Sequence, residues 1–226
     1  MLDYRVISIG TLSRHPLWEE TGPARTPHAT TTLVRVEDRV IVVDPGIAPQ
    51  VMAARLFERS GLQPQAVTDV FLTNFRPAHR GGLLAFPGAD WWISEMERET
   101  VGTELARRFE ATDEADEELR EVLRREISLL RRCQVAPDSL GPQVDLFPMP
   151  GFTPGTTGLI LALASATVLI ASDAVATCEH LAQGQVLAGA GDLEQSAESF
   201  REAVEIADWL IPGHDNIVPN PLRRGF

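Results

Sequence analysis

The chain of 226 residues contains no lysine; all 20 of its basic residues are arginine. That absence excludes a Schiff-base lysine for a pyridoxal-type cofactor and the phosphate-binding lysine of a P-loop. Cysteine is nearly as scarce. Cys133 and Cys178 stand far apart and out of zinc-ligand spacing, which fits a reducing cytoplasm better than a disulfide framework. The longest apolar stretch, "LILALASATVLIAS", is broken by Ser and Thr and too short to span a bilayer. The opening "MLDYRVISIG" has neither a basic nor an apolar leader region, so no signal peptide is expected. Positive charge is also in deficit: 32 acids against 20 bases leave a net charge of −12, which speaks against nucleic acid or an anionic membrane as partner. With no Gly-x-Ser-x-Gly elbow and no Cys–His pairing, covalent catalysis has no support.

What is present reads as a single α/β domain over residues 1–226. β-Branched alternation predicts strands in "YRVISIG", "TTLVRVE", "RVIVVDPG", "VTDVFLT" and "ADWWIS". Between them, Pro49 and Gly61 bracket a helix in the manner of a regular start and stop. The segment "TDEADEELREVLRREISLLRRC" predicts a helix with Thr112 as N-cap. Its apolar stripe is Leu119, Val122, Leu123, Ile127 and Leu130, with acids in front and arginines behind to complement the dipole. Further strands in "QVDLFP", "TTGLILAL" and "TVLIAS" precede a helix capped by Asp192, with Gln195 three residues on, and a last strand "WLIP". Strands then helix, twice over, predict two layered halves.

Five loops follow strand ends: "VVDPG", "LTNFRPAHRGG", "PGFTPGTTG", "ASDAV" and "IPGH". Their order resembles the metallo-β-lactamase superfamily over nearly the whole chain, with a helical insertion at about 95–133. The resemblance implies a four-layer αββα sandwich with a metal site at one edge. Family enzymes carry Thr-His-x-His-x-Asp-His-x-Gly-Gly in the second loop. Here Asn74 and Arg76 replace the first two His, Ala78 replaces the Asp, and His79 alone remains, followed by Gly81 and Gly82. Phe152 stands where the third loop has a His. Asp173 matches the bridging Asp, His214 the last His, and Asp44 the buried Asp that orders the metal loop. The two glycines are expected to open a helix and bring its backbone to the cavity floor.

All ligands of the family's first metal are thus replaced, while His79, Asp173 and His214 keep three of the four for the second. The resemblance implies no dinuclear zinc site, and either no metal or one divalent ion such as zinc, iron or manganese. Asn74 and Arg76, two apart in an extended segment, are expected to face the vacated space, with Arg76 pairing to Asp173. A guanidinium ~6 Å from a divalent ion opposes it by about 5 kcal/mol at an effective dielectric near 20, roughly four decades in affinity. Three functions stay open. One is a non-catalytic or weakly active binder of a small anionic or polar ligand at Asn74, Arg76 and Asp173. Another is a one-metal hydrolase on His79, Asp173 and His214, with a metal-bound water as nucleophile and His28 as candidate base. The third is a structural subunit with a vestigial pocket, whose insertion helix or Trp91–Trp92 edge meets a partner. His15 and His180 are expected at the surface.

Overall fold

A computed structural model describes residues 1–223. Strands β1 (Asp3–Ser8), β2 (Thr31–Val36), β3 (Arg39–Val43), β4 (Asp69–Leu72), β5 (Asp90–Ile93) and β6 (Gln134–Val135) form one sheet in that order. Strands β7 (Ser139–Gly141), β8 (Val144–Pro148), β9 (Thr157–Ala162), β10 (Thr167–Ser172), β11 (Trp209–Pro212) and β12 (Val218–Pro219) form the second, again in sequence order. The helices are α1 (Pro49–Ser60), α2 (Pro77–Arg80), α3 (Glu95–Ala111), α4 (Glu117–Arg132), α5 (Cys178–Gln183) and α6 (Leu193–Ile206).

Strand periodicity decides the layering. Side chains alternate between the two faces of a strand, and both faces here are apolar, as expected of sheets covered on both sides. Val34, Val36, Ile41, Val43 and Phe71 of the first sheet pack against Leu159, Leu161, Val168 and Ile170 of the second, forming the inter-sheet core. Their neighbours Leu33, Val42, Val70 and Leu72 face outward onto Met52 and Leu56 of α1 and onto Leu105, Leu123 and Leu130 of α3 and α4. On the far side, Leu169, Ala171 and Leu210 meet Leu181 of α5 and Phe200, Ala203 and Val204 of α6. The result is helices, sheet, sheet, helices: the four-layer sandwich.

The helix expected from Thr112 forms as a single helix but starts later. Thr112 ends α3, and α4 is capped by Asp116, whose Oδ1 accepts from Leu119 N–H at 3.1 Å. Leu119, Leu123, Ile127 and Leu130 face the core as predicted, but Val122 is 49% exposed, one position off the stripe. Asp116→Ala is expected to cost about 1 kcal/mol, measurable as a lower urea midpoint at unchanged slope. The Asp192 cap on α6 forms as predicted, accepting from Gln195 N–H at 2.9 Å. Trp91 and Trp92 are both engaged within the fold, Trp91 buried and Trp92 half-buried. Trp91 is 1% exposed beneath the Arg132 guanidinium, and Trp92 Nε1–H donates to Asp69 at 2.7 Å. No helix among the described residues is long and apolar enough to cross a membrane.

Parallel pairing places the chemistry. β3 runs parallel to β4, and β10 to β11. Their carboxyl ends therefore open at one edge, the usual location of a crevice in such sheets. Asp44 follows β3, Thr73 to His79 follow β4, Asp173 follows β10 and His214 follows β11.

Candidate metal centre

The backbone turns sharply where strands end. Asp44 (φ 50°) and Ser172 (φ 51°) both adopt the left-handed conformation, unusual for non-glycine residues and costing on the order of 1 kcal/mol or more each. That expense is offset by hydrogen bonds. Asp44 Oδ1 accepts from Thr73 N–H at 2.9 Å, and its Oδ2 accepts from Thr73 Oγ1 at 2.6 Å. Ser172 Oγ lies 2.6 Å from the same Thr73 oxygen, joining the two sheets' loops. Gly81 and Gly82 follow the short helix α2, and the helix they open is the single 3₁₀ turn Leu83–Ala85, with Gly82 as its N-cap. A Cβ there would lie 2.5 Å from Gly46 O or 2.4 Å from Ile47 O, so the glycines let this turn close on the Asp44 loop.

Three predicted ligands converge. His79, Asp173 and His214 are all buried, and one ligand atom from each lies within 4.8 Å of the others. His79 Nε2 is 2.9 Å from Asp173 Oδ2, and His214 Nε2 is 3.0 Å from Asp173 Oδ1. The outer nitrogens are engaged as well: His79 Nδ1 faces Asp44 Oδ2 at 3.0 Å, and His214 Nδ1 faces the His28 carbonyl at 3.0 Å. A neutral imidazole has one donor and one acceptor nitrogen. With its Nδ1–H given outward, each ring turns an Nε2 lone pair toward a carboxylate oxygen. Acceptor then faces acceptor, unless a second proton or a cation lies between them. The same tension appears in the acidities. Burial alone would lower the pKa of His79, but Asp173 and Asp44 on either side raise it well above the usual imidazole range. Burial would raise that of Asp173, and His79 and His214 hold it far below the usual carboxylate range.

Arg76 is not where the sequence places it. Asp173 is held by His79, His214 and Asn74, whose Nδ2–H donates to Oδ2 at 2.9 Å. The chain is bent at Thr73 and Asn74, so the two-residue alternation does not continue. Asn74 Oδ1 instead accepts from Arg76 N–H at 3.0 Å, and Pro77 then starts α2. Arg76 consequently turns outward, its guanidinium 4.4 Å from the centre of the Phe152 ring. The expected pairing of Arg76 with Asp173 is not formed among the described residues, although both border the same cavity. Asn74 is fully buried and serves Asp173 rather than the open space.

Above the three ligands lies a cavity of about 300 Å³. Its floor is His79, Asp173 and His214; Leu12, Phe152 and Leu187 form an apolar wall, and Arg14 and Arg76 line it with charge. Ala78 borders it. His28 contributes only its backbone: its ring turns to a separate groove, with Nε2 3.2 Å from Ile9 O. His15 and His180 are buried, not superficial. His15 Nε2 lies 3.0 Å from Thr177 Oγ1, which is 2.9 Å from His180 Nδ1. Cys178, Glu179 and Asp215 also approach one another, but Asp215 is occupied in accepting from Cys178 N–H at 3.1 Å.

A model of the metallo-beta-lactamase superfamily matches residues 25–214. The chain belongs to that superfamily. Among solved structures, a metallo-beta-lactamase-like protein of Thermotoga maritima superposes with a TM-score of 0.70 at 17% identity, over 96% of this chain and 99% of the other. A probable metal-dependent hydrolase from Staphylococcus aureus gives 0.68 at 15% identity, over 97% and 91%. The dizinc quorum-quenching lactonase AidC, solved with a product, gives 0.63 at 19% identity, over 78% and 67%. Identities this low establish a shared fold and nothing of substrate. No curated protein sequence matches the chain.

Sequence reasoning found His79, Asp173, His214 and Asp44 but missed Thr73, Ser172, Arg14 and the His28 carbonyl. Only Thr73 carried a signal, as the residue that opens the loop motif.

Proposed function

We propose that this superfamily member holds one divalent ion, zinc, iron or manganese, between His79, Asp173 and His214, and binds a small anionic or polar ligand in the cavity above it. The observation that carries this reading is the outward commitment of both imidazole Nδ1 atoms, to Asp44 and to the His28 carbonyl. Such outer partners orient metal-binding histidines and fix their tautomers. The donor set, two imidazoles and a carboxylate, suits these ions. Among the described residues, the cavity offers a second ion no comparable seat. Asn74 is committed to Asp173, Arg76 is a cation, Phe152 has no donor, and Ala78 has no side-chain oxygen.

The ion would supply Lewis acidity and a water of lowered pKa. The residues around it favour binding over turnover. Among the described residues lining the cavity, Asp173 is the sole carboxylate and is already committed to the ion and Asn74, which leaves no second carboxylate there as base for a water. A positioned base contributes about 10²–10⁴-fold, and any hydrolysis is expected to be slow by that factor. Arg76 supplies the ligand's counter-charge: stacked on Phe152, its planar fork is held at the mouth with donors free for a carboxylate or phosphate.

Calorimetric titration of the zinc-loaded chain with inorganic phosphate and with acetate tests this. Arg76→Ala is expected to weaken anion binding about tenfold, the loss of one charge-assisted hydrogen bond, while zinc affinity holds or rises. Equal anion affinity in parent and variant would refute the role given to Arg76.

A further inference from the structure

Glu97 lies in the first turn of α3 and is 1% exposed. Its carboxylate takes three hydrogen bonds from two loops. Phe75 N–H donates to Oε1 at 2.9 Å, while Thr153 Oγ1–H and Gly155 N–H donate to Oε2 at 2.6 and 3.2 Å. Phe75 is the residue before Arg76, and Thr153 is the residue after Phe152. One carboxylate thus holds a neighbour of each member of the Arg76–Phe152 stack.

The surrounding contacts make this a clamp. Ser94 Oγ, at the N-cap of α3, donates to Gly155 O at 2.6 Å. A Cβ on Gly155 would lie 2.1 Å from Glu97 N, so loop and helix are flush. On the other side of the same residue, Arg80 Nε–H donates to Phe75 O at 2.7 Å, and Arg80 pairs with Glu126 of α4. The N–H and the C=O of Phe75 are therefore each fixed by a side chain belonging to, or paired with, the helical segment 95–133. His79 and His214 have outer partners of their own, Asp44 and the His28 carbonyl.

We propose that Glu97 is a positioning residue that sets where the Arg76 guanidinium sits against Phe152, so that α3 and α4 determine how firmly the cavity grips an anion. The ligand part of this inference rests on the function proposed above; the positioning part does not. Wall and ion seat meet at Asn74, which holds both Asp173 and the Arg76 N–H. Among the described residues, however, the Glu97 carboxylate hydrogen-bonds only to the wall's two loops, so its mutation should weaken anion binding far more than ion binding. Glu97→Ala leaves two buried N–H groups without an acceptor. Glu97→Gln keeps one acceptor oxygen but sets an NH₂ against donors, and should fall between parent and Ala.

The experiment uses the full chain, zinc-loaded, with inorganic phosphate as probe, and follows amide hydrogen exchange in parallel. Glu97→Ala should weaken phosphate binding about tenfold and Glu97→Gln less, with zinc affinity within about twofold of the parent. Phe75 and Gly155 amides should exchange faster, while those of β10 stay unchanged. Unaltered phosphate affinity in a folded Glu97→Ala protein overturns the proposal. So does a parallel fall in zinc affinity with faster exchange throughout, which marks a merely structural residue. If Glu97→Ala fails to fold, Glu97→Gln carries the same comparison. If the parent binds no phosphate, the ligand reading fails by itself, and exchange decides: faster exchange confined to the two loops sustains the positioning role, and unchanged exchange ends it.

Discussion

Asp173→Ala is expected to abolish divalent-ion binding. Among the described residues, Asp173 is the one that hydrogen-bonds to both histidines of the site, through Oδ2 to His79 and Oδ1 to His214. Losing it removes a ligand and the negative charge that offsets the ion, so the fall in zinc affinity should exceed the ~100-fold typical of an outer partner. In the parent, zinc at about 100 times its Kd should add about 2.7 kcal/mol of stability. For a chain of this size that is a rise in Tm of about 5–10 °C, and Asp173→Ala should show none. The metal-free variant should also be less stable by about 3 kcal/mol, since Asn74 and both imidazoles lose a buried partner. Differential scanning calorimetry with and without zinc checks both statements. A zinc-dependent rise that survives in the variant would place the ion elsewhere.

Asp44→Ala should damage fold and site together. The Asp44 carboxylate receives Thr73 N–H, Thr73 Oγ1–H and His79 Nδ1–H, all buried. Removing it strands those donors, and alanine fits the left-handed backbone at φ 50° less readily than aspartate. A cost of about 3–5 kcal/mol is expected, together with a 10–100-fold loss of metal affinity typical of an outer partner. Asp44→Asn keeps an acceptor for Thr73 and tolerates the same backbone, so it should retain part of the stability while its NH₂ confronts His79 Nδ1–H. Denaturant midpoints and zinc titrations of the two variants measure the separation. A zinc affinity in Asp44→Ala equal to that of the parent would remove Asp44 from the site's support.

Much of this architecture is legible in the residues. The apolar strands alternate between two cores, and Pro49, Gly61 and Asp192 mark helix ends where the structure has them. His79, Asp173 and His214 were placed by loop order, and parallel pairing of β3 with β4 and β10 with β11 brings them together. What was not legible depends on local competition. Arg76 was expected inward because extended chain alternates, but Asn74 bends the chain by accepting the Arg76 N–H. His28 was expected to offer a ring and offers a carbonyl, which no side-chain pattern encodes. Thr112 and Asp116 are both good caps four residues apart, and Thr112 instead ends α3 while Asp116 caps α4. Glu97 lies in the acid-rich run "EMERET", where a buried carboxylate looks like any other. Its one signal is Ser94 three residues earlier, a capping-box spacing, although its carboxylate reaches out to the loops.

The central claim is a single ion seated by His79, Asp173 and His214. Anomalous diffraction from crystals grown with zinc, collected on both sides of the zinc absorption edge, tests it most directly. One peak is expected in the cavity, between those three side chains, with Asn74 still on Asp173 and Arg76 still over Phe152. Two peaks there, or none at a zinc concentration that saturates the thermal shift, would contradict the account.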